Sequence, residues 1–199
     1  MSGRARAGGR GVRTPGRAAG AVRPAHPRTH LRRRTEREAA PRPSPARVGD
    51  VINVAGHQLS AKHLEAAALT VEDVAEAAAV PVHDPEHGWL IEMYVVLEPP
   101  GEPDSDTVAR ITTAIERETG RIAGPKNVWI IAGMPKTRTG EIMRHVLAGI
   151  SNFTDVGDTG TPATDIQRHV HAAKLERGEK PAKLTPKQIE EIRAFGRPD

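Results

Sequence analysis

The sequence predicts a small α+β domain of order β-α-β-β-α-β-α, with a basic, disordered arm before it and a helical tail after it. Three observations predict this. Apolar and polar residues alternate from Trp89 to Leu97, the period of a half-buried strand. Val108, Ile111 and Ile115 recur at i, i+3 and i+7, the period of an amphipathic helix. The texture of the chain also changes abruptly at Asp50, from Arg, Pro and Gly to regular alternation of apolar segments and turn residues.

The expected elements follow in order. Val51–Val54 reads as a short strand ending at Gly56, and Ser60 is placed to cap a helix whose apolar side is Leu64, Ala67 and Ala68. Val74–Val82 and Trp89–Leu97 read as a strand pair joined by the polar turn His83–Asp84–Pro85–Glu86–His87–Gly88. In the second strand Ile91, Met93, Val95 and Leu97 are assigned to the core, with Glu92 and Tyr94 outward. Asp104 or Ser105 is the expected cap of the Val108–Ile115 helix, and Val128–Ile131 the next strand. After Gly133 a polar loop leads to a helix with Ile142, Val146, Leu147 and Ile150 inward, which places Glu141 at its N-terminus. A tail helix carries Ile166, Val170 and Ala173. The last helix is signed by Thr185–Pro186–Lys187–Gln188, an N-cap, a first-turn proline and a residue able to close a capping box. The expected division is an arm over 1–46, a domain over 47–150 and a tail over 151–199.

Charge is divided as unevenly as texture. Of the net +4, residues 1–49 carry +11, thirteen Arg against Glu36 and Glu38, so the remaining 150 residues carry −7. The arm has too few apolar side chains to offset the entropy of ordering. Its Arg32–Arg33–Arg34 run can bind polyanions non-specifically by counterion release, but no aromatic residue interleaves to stack on bases. With no cysteine, disulfides, thiolate metal sites and a Cys nucleophile are excluded. The longest apolar runs, Trp89–Leu97 and Val128–Pro135, are too short to span a bilayer. The expectation is a soluble, cytoplasmic monomer.

Local motifs give one charged loop and few alternatives. Gly133–Met134–Pro135–Lys136–Thr137–Arg138–Thr139–Gly140–Glu141 is not a nucleotide P-loop, because six residues separate its glycines and Glu follows the second. Lys136 and Arg138 could still face an anion, or the loop could be a solvated helix entry. His83, Asp84, Glu86 and His87 have metal-binding chemistry, but they lie in one turn with no second ligand group, so no metal site is assigned. His63, His169 and His171 are expected to face solvent. Gly-x-Ser-x-Gly and His-Glu-x-x-His are absent.

Taken together, Asp50–His57, Ala75–Ala78, Pro135–Gly140 and Ile142–Met143–Arg144 resemble, in order and spacing, the C-terminal domain of AMP-forming acyl-CoA synthetases. Ser151–Asn152 and Gly157–Asp158–Thr159 resemble the acetyl-CoA synthetase subgroup in particular, and the resemblance runs from about Arg47 to about Asp165. It implies a ligase in which acid and ATP, with magnesium, give an acyl-adenylate and pyrophosphate, and CoA then gives the thioester and AMP. In that family a much larger N-terminal domain holds ATP and the acyl group, so this chain is expected to bind no cofactor independently.

The resemblance also assigns positions. Glu141 stands where the family has its adenylation lysine, which is also its acetylation switch, so no catalytic residue is assigned. Arg47 and Gly49 fall at the hinge, where the family has Asp in place of Gly49. Gly56, His57, Gln58, Lys136 and Arg138 fall on the CoA and nucleotide side, Gly56 retained to let the pantetheine arm pass and Gln58 replacing an Arg. Glu116 falls where an Arg faces the CoA phosphates. Three readings follow: a truncated or stand-alone small domain that is not catalytic alone, a module docking on a separately encoded adenylation domain, or a polyanion binder acting through its arm.

Overall fold

The computed structural model describes residues 50–99, 106–157, 159 and 161–197. The expected arm, with Arg47 and Gly49, and the expected caps Asp104 and Ser105 lie outside the described residues. A hairpin opens the fold, β1 (Val51–Val54) pairing antiparallel with β2 (His57–Ser60), followed by α1 (Ala61–Ala68). β2 is an addition to the expected order. Its His57–Gln58–Leu59–Ser60 has no apolar alternation to betray it, and what creates it is the two-residue turn Ala55–Gly56. Both residues have positive φ, 48° and 83°, the geometry that reverses a strand most tightly.

A long hairpin forms the centre. β3 (Val74–Asp84) pairs antiparallel with β4 (Gly88–Leu97), and β4 pairs parallel with β5 (Asn127–Ile130), giving the order β3-β4-β5. Parallel pairing requires a crossover, and α2 (Thr107–Thr119) supplies it. Ile111 and Ile115 of α2 are buried, whereas Val108 remains exposed. After β5 come α3 (Arg144–Ser151), α4 (Thr161–Glu176) and α5 (Pro186–Ala194). α1 packs on β3 and α2, while α3 packs on β3, α4 and α5. The capping box of α5 forms as its residues predict, Thr185 Oγ1 accepting from Gln188 N–H and Gln188 Oε1 accepting from Thr185 N–H. No helix among the described residues is long and apolar enough to cross a membrane.

β4 departs from expectation in a way that matters for the whole fold. Its alternation is regular, but Glu92 and Tyr94 are as fully buried as Ile91, Met93 and Val95. α3 and α4 cover the face that a half-buried strand would turn to water. Glu92 survives there because its carboxylate accepts from Lys174 Nζ at 2.6 Å, Ser151 Oγ at 2.6 Å, Asn127 Nδ2 at 2.8 Å and Trp129 Nε1 at 3.0 Å. Ser151 having donated to Glu92, the Tyr94 hydroxyl donates to Ser151 Oγ at 2.8 Å. Burial, and then the Glu92 charge, push the Tyr94 phenol well above its usual range. Lys174 is 1% exposed, also donates to Ser151 O, and lies against the faces of Trp129 and Phe153. A single buried ionic hub thus ties α3 and α4 to the sheet.

Candidate functional site

The charged loop after β5 is a closed hairpin, not a helix entry. Lys136 and Ile142 form an antiparallel bridge, Thr137 N–H donates to Glu141 O at 2.9 Å, Gly140 N–H to Thr137 O at 3.0 Å, and Met143 N–H to Pro135 O at 2.9 Å. Gly140 turns the chain at φ 88°, and the Thr137 hydroxyl accepts from Glu141 N–H. The sequence placed Glu141 at a helix N-terminus. α3 starts only at Arg144, because the bridge and the turn hold the chain extended up to Met143 and Glu141 O accepts from Thr137 N–H instead of from a helical N–H one turn on. Glu141 therefore stands exposed at the base of a rigid loop, with Arg138 and Thr139 at its tip.

The two cations of this loop differ. Lys136 is drawn back onto β3 by Glu76 at 2.7 Å, so much of its charge is already neutralised. Arg138 is exposed, with no ion pair among the described residues. Just beyond, Arg144 forms a fork on Glu65, Nε to Oε1 at 2.7 Å and a terminal nitrogen to Oε2 at 2.6 Å, and Glu65 Oε1 also accepts from Ala79 N–H. Glu65, and beyond it the charges of Asp50 and Glu141, hold the Arg144 guanidinium above its ordinary value against its burial. Asp50 is itself buried and paired with Lys62 at 3.3 Å. The first described residue and the charged loop thus share one electrostatic cluster, which sequence reasoning missed because Glu65 and Arg144 are 79 positions apart.

Gly56 sits in the β1–β2 turn with its α-carbon facing open space, and exposed His57 and Gln58 start β2. Among the described residues His57 Nδ1 contacts the neighbouring Ala55 O at 3.3 Å. Glu116 on α2 lies over Gly124, whose missing side chain makes room for the carboxylate: a Cβ there would stand 2.8 Å from Glu116 Oε1. Gln58 is neutral and Glu116 anionic, so neither offers a cation to a phosphate. Gly56 leaves open space at its turn, and Gln58 and Glu116 do not fit the phosphate-rich parts of ATP or CoA.

The His83–His87 turn is organised by its own aspartate. Asp84 accepts from Glu86 N–H, His87 N–H, His87 Nδ1 and Lys126 Nζ, at 2.9 to 3.0 Å. Of the tail histidines expected to face solvent, His171 does not. Its Nε2 lies 2.9 Å from Ile150 O and its ring stacks on Phe153 with centroids 4.5 Å apart. Asn152 pins the end of α3 to β3, its Nδ2 donating to Pro81 O and Ala148 O while its Oδ1 accepts from His83 N–H.

Residues 63–141, which hold most of α1, the three-stranded sheet and the charged loop, match the family model described as AMP-binding enzyme C-terminal domain. Acetyl-coenzyme A synthetases are among the proteins this chain is similar to. The Mesorhizobium japonicum enzyme is 39% identical over 119 residues, covering 59% of this chain and 18% of its own. Acetyl-coenzyme A synthetase 2 of Candida albicans is 40% identical over 120 residues, 58% of this chain and 18% of its own. A solved acyl-CoA synthetase of Brucella canis overlaps 51% of this chain and 19% of its own, at 30% identity and TM-score 0.48. The chain thus matches less than a fifth of the length of these curated relatives.

Proposed function

We propose that this chain acts as the small domain of an acetyl-CoA-synthetase-like ligase and does not catalyse adenylation or thioester formation by itself. The observation that carries the reading is Glu141. Its backbone is held by the loop that defines the family motif, yet it offers a carboxylate where the resemblance places the adenylation lysine. A unit charge about 4 Å away contributes roughly 4 kcal/mol at an effective dielectric of 20, so replacing a cation by an anion reverses a term of that size beside an acyl phosphate. At a factor of ten in rate for each ~1.4 kcal/mol, this removes the group's contribution and adds a barrier.

A second reading is favoured by the open α-carbon of Gly56 and by Arg138, which has no ion pair among the described residues. In it the domain completes or blocks a separately encoded adenylation domain. The test is acyl-CoA formation from acetate, ATP with magnesium, and CoA. It is run with the chain alone, with the chain plus the isolated large domain of an acetyl-CoA synthetase, and with the Glu141→Lys form of that mixture. The chain alone should be silent, and Glu141→Lys should raise the mixture's rate by at least roughly 10³-fold, the value of one such term, if the reversed charge is the main defect. Turnover by the chain alone would overturn the first reading, and competition by the unaltered chain with an intact small domain would establish the second.

A further inference from the structure

α5, α3 and the segment 154–157 surround a cleft of about 390 Å³ lined by His145, Gly149, Thr154–Gly157, Arg193 and Arg197. The cleft is built, not incidental. A Cβ on Gly149 would stand 2.4 Å from Val156 Cγ1, so only glycine lets segment 154–157 fold against α3, where Thr154 N–H and Oγ1 both donate to Gly149 O. On the opposite side Gly196, at φ 56°, lies so close to the Arg144 stem that its own Cβ would stand 2.7 Å from Arg144 Cβ. That contact, with buried Ile192 and Phe195, fixes α5 and carries Arg197 to the side of His145.

The lining is cationic. Among the described residues neither Arg193 nor Arg197 has a carboxylate within ion-pair distance, whereas Lys187 on the same helix reaches Glu191. His145 Nδ1 is buried without a hydrogen-bond partner. Asp155, the one carboxylate in the lining, turns its Oδ1 to Gly157 N–H at 2.9 Å. The orphaned ring nitrogen is costly unless an acceptor joins it, and the two exposed guanidinium groups beside it have no protein carboxylate competing for their hydrogen bonds. Guanidinium forks match the oxygens of a phosphate, and the volume leaves room for an organic body beyond it.

We propose that this cleft binds a phosphomonoester, with Arg193 and Arg197 holding the phosphate oxygens and His145 Nδ1–H donating a further hydrogen bond. The site is separate from the Glu141 loop, and its occupancy does not depend on whether the domain supports a ligase. Burial, and then the Arg197 charge, hold the His145 imidazole below its usual value, consistent with a neutral ring that donates from one nitrogen.

The full chain, titrated at constant ionic strength with glycerol phosphate and with inorganic phosphate, gives the test by calorimetry and by the ring signals of His145 in ¹H–¹³C spectra. Saturable binding with one site, a shift of the His145 signals and tighter binding of glycerol phosphate are expected. R193Q and R197Q should each weaken binding at least tenfold, while K187Q, which removes the same charge from another face of α5, should leave it unchanged. Arg197 follows the last helical turn, so R197Q keeps the test decisive should R193Q disturb α5. No saturation, an unmoved His145, or equal weakening by K187Q would overturn the proposal, the last by tracing binding to bulk charge. A phosphomonoester binding no tighter than inorganic phosphate would overturn the assignment of the remaining volume to an organic body.

Discussion

Two glutamates on the same domain have opposite fates. Glu92, in the middle strand, is fully buried and accepts from four separate side chains on β5, α3 and α4. Glu141, at the base of the charged loop, is exposed, and its place is set by its own backbone and the Thr137 hydroxyl. The fold depends on the chemistry at 92 and is indifferent to it at 141. A charge at position 141 is therefore free to change without cost to the domain.

The sharpest way to break this contrast is Lys174→Ala. It leaves the Glu92 carboxylate buried with only neutral donors, and removal of one partner from a buried pair costs about 3–5 kcal/mol. Urea unfolding of the variant should show a loss of that order, and the double variant Glu92→Gln with Lys174→Met should recover much of it, because neither buried charge is then left alone. If Lys174→Ala unfolds at the original midpoint, α4 is not held by this pair and the hub has no structural role.

A smaller effect belongs to Asp84, which lies between the two extremes as a partly covered turn residue. Burial pushes its carboxyl up, but the hydrogen bonds from Lys126, from the His87 ring and from the N–H groups of Glu86 and His87 together outweigh burial and hold it well below the usual carboxylate range. Lys126 moves in the complementary direction: burial lowers it, and its contacts with Asp84 and Glu179 raise it further than burial lowers it. With a folded value below the unfolded one near 3.9, this stabilisation is fully present above about pH 5 and is lost as pH falls through the folded value. Asp84→Asn should cost about 1 kcal/mol at pH 7 and flatten the fall in stability between pH 5 and pH 2, read from unfolding midpoints across that range. An unchanged acid limb would mean that other carboxylates carry it.

The sequence showed the fold class, the strand pair, the crossover helix and the capped last helix because each is written in local periodicity or cap residues. The sheet-covering role of the tail was not legible. Glu92 and Tyr94 read as outward from alternation alone, and only the distant Ser151 and Lys174 reveal that α3 and α4 close that face. β2 escaped because its strand character comes from the Ala55–Gly56 turn and not from its own side chains. The motif loop was found by its letters, but its shape was not, since the bridge between Lys136 and Ile142 outcompetes a helix start that the residues alone would allow.

The smallest expected effect is also the most telling about the contrast. Glu141→Lys places a cation near Arg144, whose guanidinium feels the Glu141 charge only after those of Glu65 and Asp50. The Glu65 fork stays intact and the loop hydrogen bonds come from backbone and Thr137, so unfolding stability should change by no more than about 0.5 kcal/mol, the range of ordinary surface substitutions. The same variant is the one expected to change turnover when a large domain is supplied. A stability change above that range would tie residue 141 to the fold, and its identity would then report on packing of the loop instead of on the chemistry the loop presents.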